Sequence, residues 1–265
     1  MSVRLAEIVE DIGGAALAVS GGVDSMTLAV FTARRLGSGR VTMMHAVSAA
    51  VPEEATARVK AWAVRESWRL QLIDAGEFAD ENYRANPVNR CFFCKGHLYG
   101  TIAQRTTGTI LSGTNTDDLG EYRPGLEAAR EKSVRHPFVE AGMDKRAVRS
   151  LARSLGLGEL ADLPSSPCLS SRIETAIRID PAHLGAIHAV EKLVSTYLAP
   201  KTVRCRLRRT GIVIELDANA LAAADTTVRA TLTAEIAALL PGDISETAVA
   251  FSPYRNGSAF LREGQ

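Results

Sequence analysis

Short unbroken apolar runs alternate with amphipathic stretches through the first half of the chain. Residues 15–19 (Ala-Ala-Leu-Ala-Val) form such a run, as do residues 41–45, 70–73 and 109–111. Runs of this length without polar alternation predict strands buried on both faces of a parallel sheet. Between them the period becomes helical. Thr27, Leu28, Val30 and Phe31 follow the first run. Ala55, Val59, Trp62 and Ala63 follow the second, opened by Pro52, and residues 92–105 precede the fourth. Proline suits the start of a helix because its φ is already helical and its missing N–H would have no partner there. The strand–helix rhythm predicts a parallel sheet with helices on its faces. One more helix is opened by Asp144 and turns Val148, Leu151 and Leu155 to one side.

The pattern then breaks. Residues 156–167 contain Pro164, Pro167 and several small residues, and the domain boundary is placed there, giving residues 1–165 and 166–265. The second part opens on Asp180-Pro181, an N-cap followed by a first-turn proline. The helix they start carries Leu184, Ile187, Leu193 and Val194. Val203, Cys205 and Leu207 alternate as a strand, residues 212–216 give another, Val228, Leu232, Ile236 and Leu239 mark a helix, and residues 247–251 a last strand. This is a small α+β domain.

Composition narrows the function classes. A chain of 265 residues, 46% hydrophobic and 23% charged, has room for one large or two modest globular domains. Its 31 Lys plus Arg nearly cancel 30 Asp plus Glu, leaving +1. A protein that coats nucleic acid or an anionic membrane is normally far more basic. No apolar run is long enough to span a bilayer, and Glu7, Glu10 and Asp11 stand where a signal peptide would be basic and then apolar. A cytoplasmic protein without membrane or nucleic-acid partners is expected.

The first chemistry lies between the first strand and the first helix, in Ser20-Gly21-Gly22-Val23-Asp24-Ser25. Backbone N–H groups and the helix dipole converge at such a turn and favour an anion. Gly21 and Gly22 let the backbone approach a phosphate, and Ser20 and Ser25 add hydroxyl donors. Asp24 cannot hold a phosphate itself, but it suits Mg2+ or a helix end. A plain glycine turn with Ser and Asp as caps is the bland alternative, and the strand-turn-helix context weighs against it.

Four cysteines are too few for a disulfide scaffold at this size. Cys91 and Cys94, in Arg90-Cys91-Phe92-Phe93-Cys94-Lys95, lie one helical turn apart at a helix start, beside Arg and Lys that favour thiolates. Cys168 lies in the proline-broken run Ser166-Pro167-Cys168-Leu169-Ser170-Ser171-Arg172, where irregular, exposed backbone is expected and Arg172 is placed to stabilise its thiolate. Three readings fit the spacing: a zinc site completed by His97 or Cys205, a dithiol pair of Cys91 and Cys94, or a three-cysteine 4Fe-4S cluster with one open iron. Cys205 alternates with arginines on a strand and is assigned to the core. The five histidines form no cluster and are assigned structural or surface roles.

The Ser20–Ser25 run matches the SGGxDS signature of the PP-loop ATP pyrophosphatases. With Arg90–Lys95, Gly113-Thr114-Asn115-Thr116-Asp117-Asp118, Glu121-Tyr122-Arg123-Pro124-Gly125, the Cys168 run and Tyr254-Arg255-Asn256-Gly257-Ser258, nearly the whole chain resembles the LarE family, sulfur transferases of nickel-pincer nucleotide synthesis. The resemblance implies a Rossmann-like α/β fold of the adenine nucleotide alpha-hydrolase type with a smaller C-terminal α+β domain. It implies ATP-dependent adenylation of the carboxylates of a pyridinium-3,5-biscarboxylate mononucleotide, release of pyrophosphate, and conversion to thiocarboxylates. Ser20, Gly21, Gly22, Ser25, Gly113, Thr114, Asn115 and Asp118 would bind ATP, with Asp24 at Mg2+. Ser171, Arg172, Arg204, Arg206 and Arg255 would take the mononucleotide phosphate, and Glu215 also matches a family position. Cys168 matches a sacrificial cysteine. Because Cys91 and Cys94 are present too, the resemblance implies the type in which these three hold a 4Fe-4S cluster that carries sulfide. A sulfide or sulfur donor and a homo-oligomer are further expectations. The chain departs from the family at Glu174-Thr175-Ala176, at residues 212–215 and at Pro253.

Two rival readings remain. Thiolation of a tRNA base draws on the Arg204, Arg206, Arg208 and Arg209 group. A non-catalytic nucleotide-binding protein with structural zinc would bind ATP without releasing pyrophosphate.

Overall fold

The computed structural model describes residues 3–120, 124–164 and 167–261. In chain order they form α1 (Val3–Ile12), β1 (Ala15–Ala18), α2 (Val23–Leu36), β2 (Val41–Ala46), α3 (Glu53–Arg65), β3 (Arg69–Ile73), α4 (Glu81–Arg84), α5 (Arg90–Arg105), β4 (Thr109–Ser112), α6 (Pro124–Glu131), α7 (Pro137–Glu140) and α8 (Lys145–Ser154). The second half continues with α9 (Pro181–Leu198), β5 (Val203–Arg208), β6 (Gly211–Leu216), α10 (Ala218–Ala223), α11 (Thr226–Leu239) and β7 (Val249–Pro253). Among the described residues no helix is long and apolar enough to cross a membrane.

The chain divides into two compact units, residues 1–80 with 89–166, and residues 81–88 with 167–265. The short segment 81–88 thus packs with the C-terminal half although first-unit sequence flanks it on both sides. Nothing in its composition announces this.

The first unit is α/β. Its parallel sheet has the strand order β3-β2-β1-β4, with Leu17 opposite Met43 and Leu111, and Ala16 opposite Thr42 and Ile110. Leu17, Met43 and Leu111 enter one core with apolar residues of α1, α2, α3 and α8, while Ala16, Met44 and Ile110 enter another with Tyr99 and Ile102 of α5. Both faces are covered, which is why these strands read as continuous apolar runs. Asp144 caps α8 as expected, its carboxylate accepting from the Ala147 N–H at 2.7 Å.

The second unit holds a mixed sheet, β5-β6-β7, antiparallel between β5 and β6 and parallel between β6 and β7. Cys205 and Leu207 are buried on β5 together with Ile212, Ile214 and Leu216 of β6, and α9 packs on β5 and α11. Asp180 caps α9 through the Ala182 N–H at 2.8 Å.

Candidate functional site

Two clusters of site residues exist, one in each unit. The first occupies the carboxyl edge of the parallel sheet. β1 lies between β2 and β4, so chain order reverses there, and ligands of open α/β sheets settle in the crevice outside such a switch point. Residues 20–25 leave β1 and residues 113–118 leave β4, one on each side of it.

The loop after β1 is built from its own small side chains. The Ser25 hydroxyl accepts from the Ser20 N–H at 3.1 Å and lies 3.0 Å from the Ser20 hydroxyl, which accepts from the Gly22 N–H at 3.3 Å. Gly22 stands at the N-cap of α2 and no side chain caps that end, so the positive pole of this helix is left open. Gly21 has φ +83°, and a Cβ there would lie 2.7 Å from the Ala55 carbonyl oxygen. Gly113 is equally constrained, since its Cβ would meet the Ser25 nitrogen at 2.7 Å. Glycine at 113 therefore lets the β4 loop lie directly against the start of α2.

Asp24 carries the electrostatics. Burial raises its pKa above the ordinary aspartate value, opposed by the hydrogen bond and charge of Lys145. Lys145 Nζ donates to Asp24 Oδ2, whereas Asp24 Oδ1 is buried and accepts no hydrogen bond. A buried carboxylate oxygen in want of a partner, beside an open helix N-terminus, suits a hard cation that accompanies polyphosphate. Asn115 and Asp118 chiefly shape the second loop. The Asn115 N–H donates to Asp118 Oδ2 at 3.1 Å, and the Asp117 N–H to Asn115 Oδ1 at 3.1 Å. The Thr114 and Ser112 hydroxyls lie 3.3 Å apart.

Sequence reasoning missed two residues here, Lys145 and Arg58, while His45 takes the structural role expected of it. Lys145 faces Asp24 across 121 positions of chain. Arg58, on α3, donates to the Gly21 carbonyl at 2.8 Å, and burial lowers its pKa. His45 is buried, with Nδ1 at 2.7 Å from the Val19 carbonyl and Nε2 at 2.8 Å from the Thr56 hydroxyl. A carbonyl can only accept, so Nδ1 carries the proton and Nε2 accepts from Thr56; burial lowers the ring's pKa, and it is neutral. These pairings join residues far apart in sequence. The capping motif at Asp144 was the one local signal near Lys145.

On the same unit α5 starts at Arg90, so Cys91 and Cys94 stand in its first turns as expected, both half-buried and in no disulfide. His97 Nε2 lies 2.8 Å from Asp80. Gly125 of α6 packs against this helix, where a Cβ would come within 2.9 Å of Lys95 Cγ. Residues 121–123 of the run ending at Gly125 lie outside the described residues, as does Ser166 beside Pro167.

The second cluster surrounds Cys168, itself a half-buried free thiol. The exposed, irregular backbone expected after it is not found. Leu169–Arg172 is a short 3-10 turn whose residues are all buried. The cause is Arg172. Its Nε and Nη2 grip the Glu191 carboxylate at 2.9 and 3.1 Å, and Nη1 donates to the carbonyls of Pro167 at 2.7 Å and Cys168 at 3.3 Å and to the Ser171 hydroxyl at 3.1 Å. Every guanidinium nitrogen is thus engaged within the protein. Arg172 meets the Cys168 backbone and not an open anion site.

Arg206 is turned inward in the same way. It donates to Glu215 at 3.0 Å, to the Ser171 carbonyl at 3.0 Å and to the Arg255 carbonyl at 3.4 Å. Glu215 also accepts from Arg208 at 2.9 Å and from Ser258 at 2.5 Å. Arg204 is half-buried over the Tyr254 ring, 5.7 Å from its centroid, and burial and the neighbouring Arg172 lower its pKa. Arg255 is exposed. Cys205 is fully buried, and burial together with the Glu191 carboxylate pushes its thiol far up, so it stays protonated and outside the chemistry. The structure therefore brings Ser171, Arg172, Arg204 and Arg206 together around two buried glutamates. Of those carboxylates, sequence reasoning named Glu215 and missed Glu191.

Comparison with known proteins adds to this geometry. No family model matches the chain. The pyridinium-3,5-bisthiocarboxylic acid mononucleotide synthase of Lactiplantibacillus plantarum is 27% identical over 216 residues, which cover 80% of this chain and 78% of that one. Over that length the chain is similar to the LarE family. An uncharacterized protein of Synechocystis is 36% identical to this chain over 173 residues, 64% of each chain. Another, from Methanocaldococcus jannaschii, is 28% identical over 136 residues, covering 50% of this chain and 52% of that one. The match thus spans just under two thirds of the cyanobacterial relative and about half of the archaeal one.

Proposed function

We propose that this chain is an ATP-dependent sulfur transferase that adenylates the carboxylates of pyridinium-3,5-biscarboxylic acid mononucleotide and converts them to thiocarboxylates. The observation that carries the reading is the pairing, in one chain similar to the bisthiocarboxylic acid mononucleotide synthase over most of its length, of an uncapped glycine-serine loop at a sheet switch point with an accessible thiol at Cys168.

The chemistry requires both. A free carboxylate is a poor electrophile, so its oxygen must first attack the α phosphorus of ATP; pyrophosphate leaves and an acyl-adenylate forms. In this reading the N–H groups at the start of α2, with Ser20, Gly21, Gly22 and Ser25, receive the pyrophosphate portion. Asp24 is the ligand for Mg2+, and Lys145 trades its contact with Asp24 for phosphate oxygens. Gly113, Thr114, Asn115 and Asp118 form the wall of the nucleotide pocket. Sulfur then displaces AMP from the acyl carbon.

Cys91, Cys94 and Cys168 are in no disulfide, and in this reading they would be the three ligands of a 4Fe-4S cluster with one iron open. Such a cluster would supply a transferable sulfide; without it the Cys168 thiolate displaces AMP to form a thioester, and loss of the Cα proton with cleavage of the Cβ–S bond releases the thiocarboxylate and leaves dehydroalanine at 168. Ser171, Arg204 and Arg255 are the phosphate donors for the mononucleotide, while Arg172 and Arg206 hold the surrounding backbone. The arginine run on β5 does not favour an RNA partner, because Arg206 and Arg208 are paired with Glu215.

Anaerobically purified protein, given ATP, Mg2+, the biscarboxylate mononucleotide and sulfide, is expected to release pyrophosphate and yield thiocarboxylate by mass spectrometry. Iron and acid-labile sulfide are expected to co-purify. ATP binding without pyrophosphate release, with stoichiometric zinc, would replace this reading by a non-catalytic one.

A further inference from the structure

Residues 81–88 leave the first unit, pack with the second, and return. Both flanking residues, Asp80 and Asn89, belong to the first unit, so the excursion contributes nothing to the parallel sheet. Its contacts fall on the turn that carries Cys168 and on the segment just after it. Tyr83 and Asn86 are each 1% exposed. The Tyr83 hydroxyl lies 2.7 Å from the hydroxyl of Ser170, two residues after Cys168. The Asn86 side-chain amide donates to the carbonyls of Glu174 at 2.8 Å, Ile177 at 3.0 Å and Ile173 at 3.4 Å. The Asn86 carbonyl accepts from the Ala176 N–H at 2.9 Å, and the Arg84 carbonyl from the Ile179 N–H at 2.8 Å. Asn86 has φ +53°, a left-handed conformation that asparagine tolerates better than most residues.

We propose that residues 81–88 act as a strap that positions the Cys168 thiol, with Tyr83 and Asn86 as its positioning residues. Arg172 fixes the turn through the carbonyls of residues 167 and 168. The Ser171 N–H closes the turn by donating to the Cys168 carbonyl at 3.0 Å. The strap fixes its other flank through the hydroxyl of Ser170 and the carbonyls of residues 173, 174 and 177. Between these two anchors the Cys168 backbone has no freedom to swing, and its thiol is delivered in one orientation. Such a buried polar frame surrounds a side chain that must itself stay half-exposed to react, which is the arrangement that preorganisation demands. The inference rests on the sulfur-transfer reading for its purpose and on the geometry alone for its mechanics.

The test is mass-resolved alkylation of Cys168 by iodoacetamide in the full-length protein, wild type against Y83F and N86A. ATP affinity and thiocarboxylate formation are measured alongside, and circular dichroism checks that each variant is folded. The expected result is faster labelling of Cys168, by about threefold in Y83F and about tenfold in N86A, with product formation reduced by about tenfold to a hundredfold. ATP affinity stays within about twofold of wild type on this proposal, since the strap's bonds to Ser170, Ile173, Glu174, Ala176, Ile177 and Ile179 lie within the second unit. Y83F keeps the buried ring and loses only the hydroxyl, so it decides the matter if N86A does not fold. Unchanged Cys168 labelling in the folded variants would overturn the strap. Faster labelling in a protein whose wild type makes no thiocarboxylate would uphold the strap and remove the sulfur-transfer reading instead.

Discussion

The loop after β1 and the turn after Cys168 are both short, both rich in serine, and unlike in how they satisfy themselves. The first uses no ionised group of its own to hold its backbone; its hydroxyls bond within the loop and the helix behind it is uncapped. It is left wanting an anion. The second is saturated, because Arg172, Glu191, Arg206 and Glu215 neutralise one another beneath it. In the proposed function one region is a receptor and the other a pedestal. Arginines near a reactive cysteine therefore do not by themselves identify a phosphate site; the carboxylates that face them decide.

That contrast can be attacked from either side. The largest effect is expected from Cys168→Ser, which should abolish thiocarboxylate formation while ATP affinity, measured by calorimetry, stays at the wild-type value. Glu215→Gln strikes the pedestal. It removes the charge that two arginines share in a buried site, and breaking such a pair typically costs about 3–5 kcal/mol; thermal or urea denaturation should show a loss of that order. Gly113→Ala strikes the receptor. Its Cβ would lie 2.7 Å from the Ser25 nitrogen, and because the obstacle is backbone, ATP affinity should fall by about tenfold or more with the second unit still folded.

A pH experiment probes the receptor further. Burial raises the Asp24 pKa above the ordinary aspartate value despite the opposing Lys145, so Mg2+-dependent ATP binding, which on this reading needs the ionised carboxylate, should fade on acidification at a higher pH than an unperturbed aspartate would give. Lys145→Met removes the group that favours the charged form, and the fading should move to still higher pH. A profile unchanged by that substitution would dismiss Asp24 as the titrating group. The smallest effect is expected at Asp144→Ala, where the lost cap on α8 should lower stability by about 1 kcal/mol.

Much of this architecture is legible in the amino-acid sequence. Alternation of apolar runs with helical periods marks four parallel strands within a residue or two, and Asp144 and Asp180 mark their helices through a bond to a neighbour's N–H. The strap at residues 81–88 is not legible there, because its partners lie about 90 positions away. Nor is the inward turn of Arg172, whose partner is Glu191 on another helix.

Local sequence was enough for the α/β order of the first unit, the glycine-serine loop and the helix start at Cys91, since each depends on residues within one or two turns of chain and on backbone rules that need no partner. Tertiary packing alone settled which charges are spent and which are offered. Lys145 meets Asp24, Arg58 meets Gly21, and Glu215 gathers Arg206, Arg208 and Ser258. An ionised side chain buried away from water must find its counter-charge wherever the fold brings one, and that choice is made across the whole length of the chain.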